Sequence, residues 1–89
     1  MMTVIRSLID RELRLALPAA EIAPHADLYA LGLTPYGAIC LLLAVEREFS
    51  IELPREMLRR ETARSIEAIL EAVQAVRPGL VAAEWREAA

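Results

Sequence analysis

The stretch Asp27-Leu28-Tyr29-Ala30-Leu31-Gly32-Leu33-Thr34-Pro35-Tyr36, continued by Gly37-Ala38-Ile39-Cys40-Leu41-Leu42-Leu43-Ala44-Val45-Glu46-Arg47-Glu48-Phe49, decides the fold. Thr34-Pro35 is a strong helix start: a threonine hydroxyl accepts a bond from a free first-turn amide, and proline brings the fixed φ wanted at the first helical position. A helix is therefore expected from Pro35 through Phe49. Residues 37–45 are apolar without a break. Such a helix must be buried all round or turn an apolar face to a partner, and a small bundle cannot bury it all round.

Toward the N-terminus, residues 18–33 hold two prolines, no sustained helical period, and the apolar cluster Leu28, Tyr29, Leu31 and Leu33 around Gly32. A loop of that length inside a compact domain marks a crossover between helices, pinned to the core by those side chains. Before it, Ile5, Leu8, Ile9, Leu13 and Leu17 recur at three and four, with Arg6, Asp10, Arg11 and Arg14 mostly on the other side. That pattern predicts an amphipathic first helix over residues 4 to 17, stopped by Pro18.

Toward the C-terminus, Ser50-Ile51-Glu52-Leu53-Pro54 reads as a short extended link with Ile51 and Leu53 pointing the same way. Pro54 opens a short helical turn over residues 55–60, too brief to be stable alone. Thr62 or Ser65 then caps a last helix whose Ile66, Ile69, Leu70, Val73 and Val76 form one stripe, ended by Pro78-Gly79. The expected fold is all-α: a four-helix bundle of three longer helices and one short third helix, over residues 1–79. Residues 80–89, with the lone Trp85, are expected to form a weakly attached tail.

Composition agrees. At 89 residues there is room for one domain, and 56% hydrophobic residues with only 4% aromatics give an aliphatic core of helix formers. A formal charge of −3 offers no broad cationic surface for a nucleic acid. The N-terminus lacks signal-peptide order and no apolar stretch reaches membrane-spanning length, so a soluble, cytoplasmic protein is expected. Cys40, unable to form an internal disulfide, is read as a small buried hydrophobe.

No catalytic set emerges. His25, the only histidine, stands beside Asp27 without further ligands at metal spacing, so neither a metal nor an enzyme is expected. Asp27 reads as a maker of local backbone bonds. Arg55, Arg59, Arg60 and Arg64 cluster around the short third helix, read as a solvated face paired in part with Glu52, Glu56 and Glu61, or else as a patch facing a partner.

The order of these landmarks resembles the acyl carrier and peptidyl carrier proteins. Their pattern is Asp, Leu or Phe, Gly, a hydrophobe, Asp-Ser-Leu, a helix ending in Glu-x-x-Phe, and Ile-x-Ile/Leu-Pro. The Asp-Leu-Tyr-Ala opening at Asp27 is similar to small stand-alone bacterial carriers, including those paired with amino-acid-activating ligases. The resemblance implies the four-helix carrier fold, and a serine at the start of the second helix bearing 4'-phosphopantetheine. By position Gly32 matches the loop glycine, Thr34 the acid before that serine, Pro35 the serine, and Tyr36 the following leucine. Proline has no hydroxyl to join to the arm. The resemblance then implies a carrier-like interaction module without cofactor, working with a ligase, synthase, transferase or another carrier of an acyl or aminoacyl pathway. The alternative is a working carrier with the arm on Thr34 or another residue.

In that family acids on the second helix meet basic patches on enzymes. Here Gly37, Ala38, Cys40 and Arg47 stand where several of those acids would be, leaving Glu46 and Glu48. Steering by charge is expected to be weaker and apolar contact stronger. The expected partner surface is Tyr36, Cys40, Leu42, Leu43, Glu46 and Arg47, with Arg55 and Arg59 beside it.

Overall fold

A computed structural model describes residues 2–78. The expected tail, its Trp85 and the boundary at residue 79 lie outside the described residues. Three α-helices carry the fold: α1 (Met2–Glu12), α2 (Pro35–Phe49) and α3 (Ile66–Val76), with 3₁₀ turns between them. No strand occurs among the described residues. Ile5, Leu8 and Ile9 of α1, Leu41, Leu42 and Val45 of α2, and Ile66, Ile69 and Val73 of α3 meet in one buried cluster.

The first helix is shorter than its apolar pattern predicts. It ends at Glu12 rather than near Leu17, because the amide of Ala16 leaves the helical ladder and donates to Leu31 O at 2.9 Å. Leu17 consequently stands 42% exposed. A contact with a distant segment overrides a local period that would have carried the helix one turn further.

Residues 13–34 form the long connection, containing 3₁₀ turns Ala19–Glu21 and Leu28–Leu31. Ile22, Leu28 and Leu33 are buried, as a pinned crossover requires. Polar staples supplement them. Arg6 Nε donates to Ala19 O at 3.0 Å and Arg6 Nη2 to Ile22 O at 2.8 Å, while the Ala19 amide donates to Asp10 Oδ1 at 2.9 Å. Asp27 Oδ1 accepts the Tyr29 amide at 2.9 Å, the local bond expected of it. Gly32 closes the second turn at φ +112°, where a Cβ would be strained. The far side is tied to the C-terminal part of the chain: Leu28 N donates to Arg64 O at 2.8 Å, and Glu67 N to Pro24 O at 2.9 Å.

The start of α2 is as the sequence predicts. Thr34 Oγ1 accepts the Gly37 amide at 3.0 Å, and Pro35 is the first helical residue, where a missing N–H leaves no bond unmade. Gly37 has a packing reason: a Cβ there would come within 3.1 Å of both Leu13 Cδ2 and Thr34 Oγ1. The helix closes on Ser50 in the left-handed region, φ 52°, with Ile51 N donating to Glu46 O at 3.0 Å. The link that follows buries Ile51 and Leu53 together.

The short third helix is not α-helical. It is realised as two 3₁₀ turns, Arg55–Met57 and Arg60–Ala63, the first of which buries no residue and so has nothing to extend it. Ser65 supplies the last cap, its Oγ accepting the Ala68 amide at 3.0 Å.

Candidate functional site

Side chains of α2 separate into two sets that an unbroken apolar run cannot distinguish by sequence. Ala38, Leu41, Leu42, Ala44 and Val45 point into the core. Tyr36, Ile39 and Leu43 point out, 79%, 42% and 45% exposed. With Cys40 and Arg47 they recur at three and four along one face, spanning about 16 Å from Tyr36 to Arg47 at the helical rise.

Two expected positions need correction. Leu42 is fully buried, because it falls on the core side of the helix, so it belongs to the fold and not to a partner surface. Ile39, which the expected partner surface does not include, stands on the outward side instead. Cys40 is not a buried hydrophobe: it is half-buried, on the divide between two open grooves, because α1 ends before it can cover that position.

One groove, of about 500 Å³, lies along the second half of α2 and is lined by Cys40, Leu43, Glu46 and Arg47 of the helix together with Glu12, Ile51 and Glu52. The other, about 290 Å³, lies at the start of α2 between Leu13, Arg14 and Leu15 on one side and Thr34, Tyr36 and Gly37 on the other. Glu12 and Cys40 border both. The Tyr36 phenol is pushed above its ordinary pKa, chiefly by hydrogen bonding with the Cys40 side chain one turn on.

The charged residues of this face serve partly to hold the fold. Glu46 Oε2 accepts the Leu53 amide at 2.9 Å, fixing the link after α2. Arg47 Nη2 stands 3.7 Å from Glu12 Oε1, and Arg11 bridges Glu12 and Glu48 at 3.6 and 4.0 Å. Arg55 and Arg59 are exposed and line neither of these two grooves. Arg59 pairs with Glu61 at 3.8 Å. Arg60 stacks over the Tyr29 ring at 4.4 Å while the Tyr29 hydroxyl donates to Arg60 O at 2.9 Å.

His25 is an exposed loop residue, and among the described residues no three His, Cys, Asp or Glu side chains lie close enough together to hold a metal ion. No helix among the described residues is long and apolar enough to cross a membrane. The outer side of α2 thus presents an apolar stripe, two grooves and a border of charges.

Comparison with known proteins gives this surface a context. The family described as phosphopantetheine attachment site matches residues 3–73. The aminoacyl carrier protein of Agrobacterium fabrum is 37% identical over 83 residues, 93% of this chain and 100% of that protein. Among solved structures, one similar chain is from the crystal structure of engineered Bradyrhizobium japonicum glycine:[carrier protein] ligase complexed with carrier protein from Agrobacterium tumefaciens and AMP. It has a TM-score of 0.80 at 38% identity, over 83% of this chain and 99% of that one. A solution structure from Agrobacterium tumefaciens gives a TM-score of 0.67 at 36% identity over 92% of this chain and 99% of that one.

Proposed function

This chain belongs to the phosphopantetheine attachment-site family, and on that premise we propose that it is an aminoacyl-carrier-like module without an arm. It acts by docking the outer face of α2 on an enzyme of an aminoacyl-transfer pathway, an amino acid:[carrier protein] ligase above all, and catalyses nothing itself.

The observation that carries this reading is the start of α2. In the family pattern the attachment serine stands where this chain has Pro35, the first residue of the helix. A phosphopantetheinyl transferase needs a hydroxyl that becomes a nucleophile at that point, and a pyrrolidine ring has none. The neighbouring hydroxyl, Thr34 Oγ1, already accepts the Gly37 amide. Modifying it would remove a cap worth about 1 kcal/mol and present the oxygen one residue early, about 100° round the helix start. The residues present do not fit an ester-linked arm. The relatives support the choice of pathway: one is an aminoacyl carrier protein, and another is held by a glycine:[carrier protein] ligase.

Incubation with a phosphopantetheinyl transferase and CoA, followed by intact-mass measurement, tests the proposal. The wild-type mass is expected to stay unchanged. A gain of one phosphopantetheine overturns the arm-free reading, and loss of that gain in Thr34→Val would place the arm on Thr34.

A further inference from the structure

Charges bordering the outer face of α2 divide into those satisfied within the chain and those left over. Glu12 is held from two sides by Arg11 and Arg47, Glu48 by Arg11, and Glu46 by the Leu53 amide. Arg11 and Arg47 therefore largely offset Glu12 and Glu48, while Glu46 keeps its negative charge and spends one oxygen on a bond within the chain. Two groups differ. Arg14, exposed on the groove beside Tyr36, has no ion-pair partner among the described residues, and neither has Glu52, exposed on the groove beyond Leu43.

These two leftovers sit at opposite ends. Arg14 shares its groove with residues 32–37 at the start of α2, and Glu52 shares the other with the second half of the helix. Between them lie Tyr36, Ile39 and Leu43. The face is thus apolar at its centre, cationic at one end and anionic at the other.

Covering such a face strips water from both end groups. A buried or half-buried charge without a counter-charge is costly, so the cover must bring an acceptor to Arg14 and a donor to Glu52. A partner basic throughout would meet Arg14 unpaired, and one acidic throughout would meet Glu52.

Resting on the docking role argued above, we infer that the partner's surface is bipolar. It has an apolar centre that takes Tyr36 and Leu43, a carboxylate where Arg14 arrives, and a Lys or Arg where Glu52 arrives. The polarity fixes one orientation of α2 on the enzyme, since a reversed approach sets like charges together at both ends.

The Bradyrhizobium japonicum glycine:[carrier protein] ligase serves as probe, its affinity for the full chain measured by calorimetry at about 0.1 M salt, where end charges still act over roughly 10 Å. Arg14→Glu and Glu52→Arg are each expected to weaken binding about tenfold or more. Glu67→Gln, on the exposed side of α3, is expected to stay within twofold. All three positions are exposed, and circular dichroism with urea midpoints confirms that each variant folds.

If Leu43→Asp weakens binding while both charge variants stay within twofold, the docking role stands and the bipolar inference falls. A tighter complex with either charge reversal also overturns it. Concentration-dependent dimerisation in sedimentation, abolished by Leu43→Asp, gives the face to a second copy and overturns it. Absence of any wild-type binding removes the docking reading and the inference with it.

Discussion

Removing the guanidinium of Arg6 is expected to loosen the long connection without touching the core. Its Nε and Nη2 donate to Ala19 O and Ile22 O at 3.0 and 2.8 Å, in a part-buried setting. Each hydrogen bond from a charged donor is worth about 1.5–3 kcal/mol. The two losses are not equal, because Ala19 O keeps the Ile22 amide at 3.1 Å. Arg6→Met, which retains the apolar stem, is therefore expected to cost about 2–3 kcal/mol, a sizeable part of the ~4–13 kcal/mol typical of a domain this size. That corresponds to a fall in Tm of roughly 10–20 °C. Arg6→Lys, with a single point of attachment, recovers at most about half. Urea unfolding monitored by circular dichroism gives the energies, and amide exchange localises them, with faster exchange confined to the connection near residues 16–22. A loss below about 0.5 kcal/mol, or Arg6→Lys equal to wild type, would refute the stapling role.

Leu42→Ala is expected to cost about 2–5 kcal/mol in urea unfolding, whereas Leu43→Ala changes stability by less than about 0.5 kcal/mol, since one side chain is buried and its neighbour is 45% exposed. Ser50→Gly relieves a left-handed residue at φ 52° and is expected to raise stability by about 0.5–1 kcal/mol, read as a higher urea midpoint at constant slope. Burial, more than the neighbouring charges, holds the Tyr29 phenol above its ordinary value of 10.0. The folded state then keeps a proton that the unfolded chain releases, so stability present below pH 10 is lost as pH rises through the folded value. Tyr29→Phe is expected to flatten that alkaline decline in thermal melts taken at a series of pH values.

Elements specified by local chemistry were legible in the sequence. Thr34-Pro35 and Ser65 announce helix starts through side-chain oxygens that act within three residues, and both caps form. The stripe of α3 reads correctly because polar residues interrupt it. The block in α2 carries no such interruptions, so Leu42 and Leu43 look alike until α1 and α3 choose a side. The end of α1 depends on Leu31 O, and the duties of Arg6 and Asp10 depend on where Ala19 and Ile22 arrive. None of these is encoded within a few residues. The candidate face was therefore legible as a helix and an apolar excess, but not as a particular set of side chains.

The bonds from Leu28 N to Arg64 O and from Glu67 N to Pro24 O carry a consequence for synthesis on the ribosome. Both join the connection to residues made much later, and the core beneath α2 is closed by Ile66 and Ile69. A nascent chain that has emerged only through Phe49 possesses the sequence of the contact face but not the support beneath it. Contacts of such separation form after their distal partner exists, so the face matures late, with α3. An enzyme meeting the growing chain would find a surface to hold only after α3 has emerged and packed beneath α2.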